Sequence, residues 1–141
     1  MTQPVVPKVE SGRRVATENG VNDIWTPASD VLCFASHGTV EVVFGDALIH
    51  DLETMLAQRG KLHLFADTWG VTDYDPRFRE QMTTWFKHHR SQLHGVHVLV
   101  KSPLVRMGVA TINLMLGGLL TTYSDAAKYA GHMGLTARGR R

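Results

Sequence analysis

The chain has a single cysteine, Cys33, which excludes an internal disulfide and any multi-cysteine zinc or iron–sulfur site. It also lacks a decisive excess of charge, with 15 Lys+Arg against 13 Asp+Glu. Three of the cations, Arg138, Arg140 and Arg141, crowd the C-terminus, and the rest of the chain carries −1. That balance offers no basic surface to a phosphate backbone, apart from a weak contact of the arginine tail with nucleic acid or an acidic surface. There is no run of about 20 apolar residues to span a bilayer. The most apolar stretch, Leu104 to Leu120, is interrupted by Arg106, Asn113 and Gly117-Gly118. The N-terminus, Met1 to Pro7, lacks the charged start and apolar core of a secretory signal. A cytoplasmic protein is the expectation, and one lone thiol suits a reducing compartment. No His-Glu-x-x-His, P-loop, Gly-x-Ser-x-Gly or Gly-x-Gly-x-x-Gly is present.

What is there is an ordinary globular chain. Its 141 residues are 43% hydrophobic and 20% charged, enough for one domain with a core of its own. Residues 1–12, with two prolines and no apolar period, read as a flexible arm; 13–133 form the domain; 134–141 form a basic flexible tail. A strand from Arg13 to Thr17 turns at Asn19-Gly20 into a weak second strand over 23–26. Val31–Ala35 is a buried strand stopped by His37-Gly38. Leu48, Leu52, Met55 and Leu56 share a helical face closed by Gly60. Leu62–Ala66 is the next buried strand. Asp75 caps a second helix whose apolar face holds Phe78, Met82, Trp85 and Phe86. A strand over Val96–Val100 leads to Ser102-Pro103 and a third helix, Leu104–Leu116. A last strand, 119–123, and a short helix to about Ala130 close the domain. Helices alternating with near-continuous apolar strands give an α/β fold: a mostly parallel sheet of 4–6 strands, an antiparallel strand or hairpin at its start, and about four flanking helices.

The segment Leu62-His63-Leu64-Phe65-Ala66-Asp67-Thr68-Trp69-Gly70-Val71-Thr72-Asp73-Tyr74-Asp75-Pro76 resembles the central strand and loop of STAS domains. Asp67 matches the family's loop Asp, Val71 its Val, Asp75 the Asp before its serine pair, and Gly38 the glycine ending the strand before the first helix. The order of elements downstream also fits. The resemblance covers about residues 22–133 and is nearest to the SpoIIAA-like, or STAS/SEC14, branch. It implies a non-enzymatic regulatory module acting by protein–protein contact. Where the family carries its regulatory serine pair, this chain has Pro76 and Arg77, so the usual phospho-switch is missing there. Residues 39–44 divide the two readings: local β-branching favours a strand, whereas the resemblance starts the first helix.

The resemblance places a partner-binding face on Asp67, Thr68, Trp69, Asp73, Tyr74, Asp75 and Arg77. Trp69 and Tyr74 are either partner contacts or aromatics folded back over the sheet edge. Lys101 and Ser102, beside the N–H groups of a helix start, are a weak anion-binding candidate; the plainer role of Ser102 is to cap its helix. Asp67 and Lys101 at strand ends leave an enzyme as the lowest alternative, and a SEC14-like lipophilic pocket as another. The third helix, apolar almost all round, is covered by its own sheet together with further intramolecular packing, a second copy of the chain, or a ligand. Cys33, inside an apolar strand, is structural. The eight histidines show no ligand pattern: His94 and His97, three apart, fall on opposite faces of a regular strand, and no acidic partner is fixed near His63. No metal or cofactor is expected.

Overall fold

A computed structural model describes residues 12–138. The first eleven residues of the expected arm, and residues 139–141 of the tail, lie outside the described residues. Six strands form one sheet in chain order: β1 (Arg13–Ala16), β2 (Gly20–Ala28), β3 (Val31–Val40), β4 (Leu62–Tyr74), β5 (Leu93–Leu99) and β6 (Leu120–Tyr123). The first three pair antiparallel, and β3 to β6 pair parallel. The parallel strands are joined by α1 (Val42–Arg59), α2 (Pro76–His89) and α3 (Pro103–Met115), and α4 (Ala126–Arg138) ends the chain.

Strand order fixes where the helices go. Each parallel connection steps one place in the same direction, and right-handed crossovers put all three linking helices on one face. The larger core accordingly holds Leu48 and Leu52 from α1, Met82 and Phe86 from α2, and Val105 and Ile112 from α3. These pack on Leu32, Phe34, Leu64, Val96 and Val98 of the sheet. The alternate residues point the other way. Trp25, Val31, Cys33, Phe65 and Leu99 pack with α4 through Tyr129 and Met133. Each large apolar side chain fully buried in either cluster contributes about 1.5–3 kcal/mol.

Several boundaries differ from those the pattern predicts. The strand expected over 31–35 runs on to Val40, and that over 62–66 runs on to Tyr74. His37-Gly38 does not stop it: Gly38 takes φ +74 and the β3–β4 register slips on either side of it, so two irregularities are absorbed while pairing continues. Residues 39–44 divide, with Thr39 and Val40 in the strand, Glu41 at the N-cap and helix from Val42. The last helix reaches Arg138 rather than Ala130. Tyr129 and Met133, one turn apart, both bury against the sheet and carry the helix through Gly134, where a flexible tail was expected.

Gly38 is held by more than its backbone angle, because a Cβ there would collide with the Asn19 carbonyl. Gly60 has a similar φ, +79, but open space around it. Gly60→Ala should therefore cost only left-handed strain, about 1 kcal/mol, and Gly38→Ala at least about twice that. Urea denaturation of the two variants measures the difference; equal losses would show that the Asn19 contact yields freely.

Candidate functional site

The carboxyl ends of β3, β4 and β5, where α1, α2 and α3 begin, hold every residue assigned above to partner or anion binding. Asp67, Thr68, Trp69, Asp73 and Tyr74 lie along an extended strand rather than a loop, Asp75 and Arg77 begin α2, and Lys101 and Ser102 lead from β5 into α3. β5 ends at Leu99, opposite Asp67, so from Thr68 onward β4 pairs with β3 alone. This ribbon carries Trp69 to Tyr74 past the end of β5, while β3 beside it stays paired with β2 as far as Gly38.

Its polar groups are largely spent on local geometry. Asp67 is buried, 1% exposed, and accepts the Trp69 N–H at 3.0 Å. It is thus a shaping residue beneath the surface and offers a partner no contact of its own. Thr68 Oγ1 donates to the Leu99 carbonyl at 2.6 Å, tying the ribbon to the end of β5. Asp73 accepts the Tyr74 N–H at 2.8 Å. Asp75 accepts the Arg77 N–H at 2.9 Å as the cap of α2 and pairs with the Arg77 guanidinium at 2.7 Å. That guanidinium holds the Asp75 carboxyl below the usual range. Ser102 accepts the Leu104 N–H at 3.1 Å, so the plainer capping role is the one observed.

The two aromatics lean to opposite faces. Trp69 is half-buried against the α4-side cluster, with the Lys101 ammonium 5.6 Å from its ring centroid, within cation–π range. Tyr74 is half-buried against the larger core. A Cβ at position 108 would lie 2.6 Å from Tyr74 Oη, so α3 crosses this ring closely only because Gly108 has no side chain. Tyr74, Phe34, Val40, Val71, Val105 and Val109 enclose an apolar cavity of about 80 Å³ between α2, α3 and the sheet.

Two further features stand out, the first on the helix whose sequence is apolar almost all round. The outer side of α3 is bare: Leu104, Met107, Leu114 and Met115 are 43%, 69%, 86% and 58% exposed. Periodicity signals a covered side only when the other side is polar, and here both are apolar. The second feature is a row of imidazoles on the α4 side. His97 Nδ1 lies 2.9 Å from Tyr123 Oη, which lies 2.6 Å from His132 Nδ1. Burial, reinforced by His132 and His63, pushes His97 down to about 4, so it is neutral at pH 7. The expected placement of His94 on the face opposite His97 fails, because β5 bulges: Leu62 pairs with Leu93 but His63 with Gly95, leaving His94 as the extra residue. Asp30 stands beside both His63 and His94, supplying the acidic neighbour that the sequence left unplaced. Cys33 is buried and its thiol is pushed far up by desolvation, in keeping with a structural role.

Burial raises the Asp67 carboxyl above its ordinary value, although the Trp69 N–H and the nearby His37 oppose the shift. A carboxyl raised on folding binds protons more tightly in the native state, so it weakens stability as pH rises through its unfolded and then its folded value. Asp67→Asn keeps an acceptor for the Trp69 N–H and removes the buried charge. The variant should be more stable than the parent at pH 7, with the gain shrinking towards pH 4; urea melts at both pH values test it. A loss of stability at pH 7 would mean that the ionised carboxylate is needed.

No family model and no curated protein sequence matches the chain. Solved structures do. An uncharacterized DUF3478-family protein with a SpoIIAA-like fold, from Shewanella loihica PV-4, aligns with TM-score 0.58 at 11% identity, over 87% of this chain and 92% of its own. The anti-sigma factor antagonist SpoIIAA, in its unphosphorylated form, aligns with TM-score 0.56 at 10% identity, over 88% and 97%. An anti-sigma factor antagonist from Mycobacterium paratuberculosis gives 0.54 at 11%, over 91% and 99%. At such identities the likeness establishes architecture, and the order and direction of the six strands agree with it: the chain has a SpoIIAA-like fold.

Proposed function

We propose that the protein is a non-enzymatic regulatory module that works by binding another protein. One observation carries this reading: the fold leaves an apolar stripe on α3, Leu104, Met107, Leu114 and Met115, outside both cores. The stripe starts three residues after Lys101, whose ammonium lies over the Trp69 ring, at the same end of the sheet as Asp73 and Arg77. Its charged neighbours, Lys101 and Arg106, are both exposed cations, and α3 contains no acidic residue. A partner with an apolar centre and an acidic rim matches that surface. The likeness to anti-sigma factor antagonists supports a regulatory role. In this reading binding is not switched by phosphorylation at the start of α2, where Pro76 and Arg77 stand in place of the serine pair.

A lipid-carrying role suits the geometry poorly. The cavity beneath Tyr74 measures about 80 Å³, whereas small-molecule pockets generally span about 300–1,000 Å³. Native mass spectrometry of protein purified from cells should show no co-purifying lipid, and a co-purifying apolar mass would favour the lipid reading. An enzymatic role for Asp67 and Lys101 is likewise unsupported, since both are engaged at Trp69, through its N–H and its ring.

Docking is tested by affinity purification with the parent chain, with Trp69→Ala/Tyr74→Ala and with Met107→Glu/Leu114→Glu, circular dichroism confirming each fold. The exposed pair should cut partner recovery at least about tenfold, as loss of a central apolar contact does. Recovery unchanged in both variants would refute this surface. Loss of self-association in the glutamate variant would identify the occupant as a second copy of the chain.

A further inference from the structure

The opposite ends of the same strands carry a different chemistry. Asp30 closes the β2–β3 turn, His63 is the second residue of β4 and His94 the second of β5. The His63 N–H donates to the Asp30 carbonyl at 2.8 Å, which fixes these two residues side by side. The bulge in β5 turns His94 towards them, and the His63 and His94 rings stack with centroids 4.7 Å apart and planes 24° from parallel. One donor atom from each of the three residues falls within 4.8 Å of the others.

We propose that Asp30, His63 and His94 bind a divalent transition-metal ion, with zinc as the best match. Two imidazoles and a carboxylate are the donor set of three-ligand zinc sites, whose remaining position is left to water or another ligand. Two nitrogen donors select against magnesium and calcium, which take oxygen. Zinc–nitrogen and zinc–oxygen bonds of about 2.0–2.2 Å require donors roughly 3.4 Å apart, so the trio must close by about an ångström. Asp30 and His63 are half-buried and anchored on the backbone, while His94 is exposed and has room to swing inward. The site needs no contribution from His97, which its hydrogen bond to Tyr123 holds on the far side of Gly95. It also lies at the other end of the sheet from the docking surface, and stands or falls independently of it.

Untagged full-length protein, stripped with EDTA and dialysed against zinc chloride, should take up one ion and melt at a higher temperature. His94→Ala, at an exposed position that leaves the fold intact, should weaken binding at least about tenfold, as should Asp30→Asn. His132→Ala should bind as the parent does. Absence of zinc uptake would overturn the proposal. So would uptake that survives His94→Ala, or uptake lost in His132→Ala, which would move the ion to the His97–Tyr123–His132 cluster.

Discussion

The arrangement depends on one topological constraint, the unbroken march of parallel strands from β3 to β6. A sheet that grows in one direction through right-handed crossovers cannot share its helices between two faces. Three of them therefore seal one side with Leu, Val, Met and Phe, and among the described residues the other side has α4 as its one helix. A single helix cannot cover a six-stranded sheet. Polar groups are tolerated on that poorly covered side, and it is there that the imidazoles and Asp67 are found. Asp23, also nearly buried, is held there by the Arg14 guanidinium fork at 2.8 and 3.1 Å.

Much of this was legible from the residues. Buried strands such as Leu62–Ala66 are continuously apolar because both faces are covered, and α2 announces both its start, through Asp75-Pro76, and its buried face, through Met82 and Phe86. Such signals are local, and they specify element type and order. What escaped the pattern depends on the register between strands. β4 can extend to Tyr74 only because β3 beside it extends to Val40, and neither length is written in its own run of residues. Likewise, one extra residue in β5 reverses the parity of every side chain before it. Alternation counted along the sequence therefore put His94 on the wrong face.

The two candidate sites differ in how far sequence could reach them. The ribbon after Asp67 was singled out through a family resemblance, which described it as a loop where the structure has a strand. In a loop, Asp67, Asp73 and Asp75 would be solvated carboxylates open to a partner. Along a strand leading into a helix cap they are instead acceptors for Trp69, Tyr74 and Arg77 N–H groups. Their conformational role explains why acidic residues suit these positions without any need for a ligand, and it shifts the weight of the proposed recognition to aromatic and apolar side chains.

The exposure of α3 fits that shift. Leu and Met are strong helix formers, so the helix can form with one side solvated, its other side being anchored by Val105, Val109 and Ile112. Its stop is equally well built: the Asn113 side chain bridges to Leu120, accepting its N–H at 2.8 Å and donating to its carbonyl at 3.0 Å. A polar replacement of Met107 or Leu114 would therefore leave the inner packing and both ends of the helix undisturbed. Exposed apolar side chains that folding does not require raise the risk of aggregation, and a continuous stripe of them marks an interaction surface more readily than scattered single residues do. Stability and the proposed recognition are thus separable on this helix, with the inner side devoted to the core and the outer side exposed.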